Sequence, residues 1–294
     1  MSAENEQSED VASQSLLDLV EDWYHVPALL MIVAAMAAIR LQSYDNFIRD
    51  GEVYFSGNAA WYHYREVMYT VRNWPSTIPF DPWTNFPYGT FVGQFGTLYD
   101  QVVATVALII GLGSPSPELI AKTLLVAPAI AGALAVIPIY VIGKRLSGRI
   151  AGLFGAVVLL LLPGSFLSRT LAGVADHNAI EPLAMALAVA SFVIALQKAS
   201  ATLPVWEVVR EELLEARELD TIEEPLKWSL LAGFLTGIYL WVWPPAVLLV
   251  GIVGLFAVVK ITSDVANDQT PEPTAFVLTV SMVVVALMSL IAID

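Results

Sequence analysis

Several stretches of this chain offer no polar side chain in any direction around a helix. Leu153 to Leu162 and Ala246 to Val259 are apolar on every face, so neither has a stripe to turn toward water. Crossing a hydrocarbon core of about 30 Å takes roughly 20 apolar residues in a helix. Runs approaching that length are expected to span at about residues 25 to 43, 119 to 141, 150 to 167, 179 to 197, 227 to 243, 245 to 262 and 274 to 292. The fold class that follows is all-α, a polytopic helical membrane protein with about seven spans. A large soluble bundle would instead carry polar stripes at helical spacing. Pro128, Pro138 and Pro163 fall inside or at the ends of spans, where neighbouring helices can satisfy the carbonyls they free.

Charge narrows the partners. The 28 acidic residues outnumber the 14 basic ones, for a net charge of −14, so a polyanion is repelled and no nucleic acid is expected. Glu4, Glu6, Glu9, Asp10, Asp18, Glu21 and Asp22 make residues 1–22 an acidic tail without Lys or Arg. Its charge is the wrong sign for the start of a secretory signal. A second acidic block lies in the connector 198–226. Dense like charge is tolerated where salt screens it, which points to a halophilic source. Within the connector, Glu207 to Asp220 reads as a helix skimming the membrane surface, with Val208, Leu213, Leu214 and Leu219 on one side. The absence of cysteine removes disulfides, thiol nucleophiles and thiolate metal sites.

Orientation turns on Val102 to Leu112, an apolar run too short to be an ordinary span. Taken as interfacial or re-entrant, it puts Lys144, Arg145 and Arg149 in the cytoplasm with the connector and its Lys198, Arg210, Arg217 and Lys227, as the positive-inside rule prefers. The N-terminus is then cytoplasmic. Residues 44–118 form a first external loop and 168–178 a second, in a protein of the plasma membrane.

Between two apolar runs lies the triplet Asp176-His177-Asn178, followed by Glu181. Polar groups at a membrane boundary cost free energy unless they have partners or a task. In a turn before a helix, positions i and i+2 can face one ion, and Glu181 follows about one turn on. Oxygen donors of this kind suit Mg²⁺ or Mn²⁺. The same residues can equally cap the next helix by accepting from its free amides, and spacing alone does not choose. The first loop adds Asn58 to Arg65, with His63, and Pro79 to Gly89. Turn formers and aromatics make the latter an ordered loop at the membrane surface.

Asn58 to Arg65, Asp81-Pro82-Trp83 with Pro87-Tyr88-Gly89, Ser168-Arg169 through Asp176-His177-Asn178, and Tyr239 to Pro245 resemble, in order and rough spacing, the catalytic subunit of oligosaccharyltransferase. The likeness is nearest to the archaeal single-subunit enzymes and covers nearly the whole chain from the first span onward. It implies a membrane glycosyltransferase of the GT-C type, acting in protein N-glycosylation. Such an enzyme transfers a glycan from a dolichol-type phosphate or pyrophosphate donor to Asn of Asn-X-Ser/Thr sequons in acceptor proteins, by an inverting displacement assisted by Mn²⁺ or Mg²⁺. By the same resemblance Asp176 is catalytic and a metal ligand, Asn178 a second ligand, and Trp243 a neighbour of the donor's lipid phosphate. His177, Glu181 and His63 would support them.

The chain departs from the family in two places. Ala59 stands where the family has its first-loop Asp, and alanine can neither bind metal nor orient an amide. The family's later loop with its catalytic Glu, and its C-terminal sequon-reading domain with the WWDYG motif, do not occur before Asp294. The expectation is therefore a truncated donor-side segment, inactive by itself. Another polyprenyl-phosphate-sugar-dependent GT-C glycosyltransferase would show an acidic pair in the first loop. A transporter would place ionisable groups mid-span, where Lys122 is the nearest example.

Overall fold

The computed structural model describes residues 23–201, 204–216 and 220–291. The acidic tail 1–22, with Arg217 and Leu219 of the connector, lies outside them. Nine helices of ten residues or more organise the described chain: α1 His25–Leu41, α2 Gly57–Asn73, α3 Leu98–Ile110, α4 Pro117–Leu134, α5 Val136–Leu161, α6 Glu181–Ser200, α7 Glu223–Val242, α8 Val247–Ala266 and α9 Glu272–Ile291. Two small antiparallel pairs decorate the first loop, Ile48–Arg49 with Glu52–Val53 and Phe80–Asp81 with Thr90–Phe91. Asp50 and Gly51 close the first of these with positive φ at both positions, the backbone a two-residue hairpin turn requires.

Five helical stretches among the described residues are long and apolar enough to cross a membrane: His25–Phe47, Pro117–Leu161, His177–Ser200, Pro244–Ala266 and Glu272–Ile291. The second is 45 residues long and folds back on itself. Ser147 and Gly148 leave helical geometry, Gly148 at φ 84°, so Gly143 comes to lie against Ala151 and Gly152. The hairpin thus supplies two spans. Its first arm is interrupted at Ala135, three residues before Pro138, a residue that cannot donate back to Leu134. The second arm stops at Leu161, earlier than residue 167, because Leu162 precedes Pro163 and is extended. α7 is as long as its neighbours but less apolar. Its Ser229, Gly233, Thr236 and Gly237 are buried against protein, so its polarity never meets lipid. With the two arms of the hairpin and α7, the bundle reaches the expected count of about seven.

α3 has 13 residues, about 20 Å at 1.5 Å per residue, too short for the core thickness. It packs with α2 and α4 around Val67, Tyr99, Val103, Ala104, Leu124 and Leu125. A second core joins α6, α7 and α9 through Phe192, Ala195, Ala232, Phe276 and Val277, and the connector inserts Val205 and Ile222 into it. The Glu212 carboxylate accepts from the amides of Asp220, Thr221 and Ile222, capping the start of α7. Leu30, Met31, Ile150, Phe154, Leu248, Ile252 and Leu255 are exposed, outward apolar surface suited to lipid.

Candidate functional site

Helical spacing places the first-loop residues. Ala60, His63, Val67 and Thr70 recur every three to four positions along α2 and are buried, with Glu66 beside them. Facing them, the first turn of α3 buries Tyr99 and Asp100. The second loop is pinned by its own backbone. Arg40 Nε donates to Thr170 Oγ1 at 2.8 Å, Ala172 N to the Arg40 carbonyl at 3.0 Å and Gly173 N to the Leu125 carbonyl at 3.0 Å. Ser56 N donates to the Gly173 carbonyl at 2.9 Å, which brings the start of α2 beside residues 174 to 178.

At that junction two imidazoles and a carboxylate converge. His63 Nε2 lies 3.2 Å from His177 Nδ1 and 3.6 Å from Asp176 Oδ1, and His177 Nδ1 lies 2.9 Å from the same oxygen. The donor atoms of His63, Asp176 and His177 all fall within 4.8 Å of one another, a group that could hold a metal ion. Behind them, Asp100 Oδ1 meets His63 Nδ1 at 2.8 Å, with His63 1% and Asp100 0% exposed. Glu181 Oε1 stands 3.5 Å from His177 Nε2. Burial pushes His63 toward the neutral form, but the Asp100 and Asp176 carboxylates outweigh it and push the imidazole up to about 9. Burial likewise opposes ionisation of Asp176, yet hydrogen bonds from His177 and His63 hold its carboxyl well below the usual range. Neither oxygen of Glu66 has a hydrogen-bond partner among the described residues. Burial, with Asp100 and Asp81 nearby, pushes it up to about 8.

The two readings of the Asp176 turn coexist. Asp176 has extended backbone and accepts from Asn178 N at 3.2 Å, capping the turn at His177–Ala179, while the same Oδ1 faces both imidazoles. Asn178 lies alongside with its amide occupied: Nδ2 donates to Asp176 Oδ2 at 2.7 Å, and Oδ1 accepts from Arg169 Nη1 at 2.8 Å. Ala59 is exposed and lines two cavities. One, of about 290 Å³, is shared with Arg169, Asp176 and Asn178; the other, of about 570 Å³, with Trp61, Tyr62, His63, Arg65, Trp83 and His177. Trp243 is partly buried one turn beyond Tyr239, packed against a cluster that includes Tyr239 and, from the start of α6, Ala184. It belongs to the same end of the bundle.

Sequence reasoning missed Asp100, Glu66, the Arg65 to Asp81 pair and Arg169. A usable signal existed for Glu66, since it shares the helical face of Ala60, His63 and Val67. None existed for Asp100, whose partner lies 37 positions away. Arg65 Nη2 and Thr84 Oγ1 each donate to Asp81 Oδ2 at 2.6 Å, and Trp83 N donates to Oδ1 at 3.0 Å. Burial resists the charge on Asp81, but these donors win and hold its carboxyl below the ordinary value. The aromatic loop is thereby fastened to α2 and keeps Trp83 in the cavity wall.

A family described as oligosaccharyl transferase STT3, N-terminal, matches residues 28–293. The chain is 60% identical over 282 residues to the dolichyl-monophosphooligosaccharide–protein glycotransferase AglB of Haloferax volcanii, spanning 96% of this chain and 26% of that protein. The fold is similar to the Archaeoglobus fulgidus AglB oligosaccharyltransferase in complex with an inhibitory peptide and a dolichol-phosphate, with TM-score 0.78 and 25% identity over 92% of this chain and 29% of that one. It is also similar to the same organism's enzyme in complex with zinc and sulfate, with TM-score 0.74 and 25% identity over 90% of this chain and 31% of that one.

Proposed function

The chain belongs to the oligosaccharyl transferase STT3 family, and on that premise we propose that it forms the donor-binding part of an N-glycosylation enzyme. The enzyme transfers a glycan from a dolichol-type phosphate donor to Asn in Asn-X-Ser/Thr sequons of acceptor proteins. The observation that carries this reading is the meeting of the two loops, where His63 and His177 in the wall of the 570 Å³ cavity meet Asp176 in the wall of the 290 Å³ one.

The donor set fits a divalent cation, with Asp176 as the anionic ligand and Asn178 beside it. Such an ion, when bound, supplies Lewis acidity that neutralises charge on the departing phosphate. The chain's own groups do the rest. Asp176 is kept ionised by its two imidazole neighbours, ready to hold positive charge. Arg169 and Arg65 add fixed charge near the anionic donor. Trp61 and Trp83 offer flat apolar walls for sugar rings, and Asp81 keeps Trp83 in place. Trp243 and Tyr239 flank the membrane side, where the lipid phosphate would approach.

The orientation that serves this chemistry is a cytoplasmic N-terminus with the cavity outside the plasma membrane. It is supported by Lys144, Arg145 and Arg149, which gather at the fold-back of α5, the end of its second arm away from the site.

The test uses the full-length protein in liposomes, with a dolichol-phosphate-linked glycan and a sequon peptide. Asp176→Asn should lower transfer by about 10²-fold or more, the scale of losing one transition-state group. Ala59→Asp should tighten divalent-cation binding and raise transfer. With any cysteine outside residues 1–294 replaced, Asp176→Cys should react with an impermeant reagent added outside, since these residues hold none. Undiminished transfer by Asp176→Asn would overturn the reading.

A further inference from the structure

We infer that His63, held by Asp100, is a metal ligand of this site and stands in for the carboxylate that Ala59 does not supply, giving a centre of two imidazoles and one carboxylate that selects a transition-metal ion over Mg²⁺. The inference rests on the reading of the site just given and specifies its cation.

Spacing carries the first step. Ligand atoms about 2.1 Å from one ion are separated by roughly 3.0 Å at right angles and roughly 3.4 Å at tetrahedral angles. The three separations here are 3.2, 3.6 and 2.9 Å, so one ion can be reached by all three atoms without rearranging either loop. Direction carries the second. His63 Nε2 faces Asp176 and lies 3.4 Å from the His177 amide, where a bound cation would take the place of any proton on it, while Nδ1 faces Asp100 Oδ1 at 2.8 Å. A carboxylate on the far nitrogen fixes the tautomer and raises the basicity of a ligating imidazole. His177 repeats the arrangement more loosely, Nδ1 toward the centre and Nε2 toward Glu181 Oε1 at 3.5 Å.

Chemistry carries the third. A first-loop carboxylate would have made the site rich in hard oxygen donors, the preference of Mg²⁺. With Ala59 it has nitrogen on two of three positions, and imidazole suits borderline ions such as Zn²⁺ and Co²⁺. Asp100, buried and out of reach of the cavity, would have no other task near a membrane surface that repaid its desolvation. It is a positioning residue, acting through His63.

The experiment needs no mutation to begin. The full-length protein in detergent is loaded with Cu²⁺, and pulsed electron paramagnetic resonance counts the imidazoles coupled to the ion. Two are expected, and one or none overturns the inference. Titration with Co²⁺ and Mg²⁺ then gives selectivity, expected at least 100-fold in favour of Co²⁺; equal affinities overturn it. Asp100→Asn should weaken Co²⁺ binding 10- to 100-fold, the scale of losing an outer partner, and steepen its dependence on pH. His63→Asn should cut the coupled imidazoles to one. If His63→Asn leaves the imidazole count and affinity unchanged while Asp176→Asn abolishes both binding and transfer, this inference fails and the proposed function stands. If neither substitution changes binding, both fail.

Discussion

The α6–α7–α9 bundle and the α2–α3 layer under the cavity both bury polar side chains, and they treat them in opposite ways. In the bundle the buried hydroxyls along the helices return to carbonyls. Ser191 donates to Leu187, Ser229 to Pro225 and Thr236 to Ala232, each within one turn, and Ser281 reaches across to Ser229 at 2.9 Å. Small residues let those helices approach closely, which is how packing replaces the hydrophobic effect in lipid. Under the cavity, both oxygens of Glu66, with Thr70 Oγ1, Tyr62 Oη, Tyr99 Oη and Asp100 Oδ2, have no hydrogen-bond partner among the described residues. Unpaired buried polar atoms cost about 1–3 kcal/mol each. One region is built for cohesion, and the other carries a thermodynamic load that only a task at the site can justify.

The sharpest way to break the contrast is to spoil the packing and leave the site alone. A Cβ on Gly233 would run into the Ser281 carbonyl and the Val284 side chain. Gly233→Val should cost about 3 kcal/mol, the upper range of overpacking, seen as a lower unfolding temperature in detergent. Divalent-cation affinity should hold, because no ligand sits on α7. A parallel loss of cation binding would mean that the two regions are one cooperative unit.

Opposite in sign is relief of the load. Glu66 is raised to about 8, while its unfolded value is near ~4.3. Between those values the folded state holds a proton that the unfolded state releases, so stability falls as pH climbs through the window. Glu66→Gln cannot ionise and should erase that decline. The variant and the parent should match near pH 4, and the variant should pull steadily ahead as pH rises toward 8. Parallel stability curves for the two proteins would show that Glu66 is not held neutral.

The smallest effect belongs to a hydroxyl that crosses between helices. Ser281→Ala removes the bond to the Ser229 carbonyl and should cost about 0.6 kcal/mol, the usual worth of such a bond in a membrane protein. A loss several times larger would place the bundle's cohesion in hydrogen bonds and not in the close approach of small residues.

The sequence by itself determined that this is a helical membrane protein, roughly where its spans run, and that Asp176 stands at a boundary where polar groups have work to do. Those properties are local: apolar length adds up along the chain, Pro163 ends α5's second arm by its own ring, and a carboxylate before a helix is marked by its neighbours. The four-residue spacing of α2 even put His63 and Glu66 on the face of Ala60 and Val67. What stood opposite that face was not local. The partners of His63 lie 37 positions ahead in Asp100 and 114 ahead in His177, and only the docking of α2 on α3 and on the second loop joined them. The same docking set Arg65 on Asp81 and Arg169 on Asn178, because the energy of a charge depends on what surrounds it in space and not on its position in the chain.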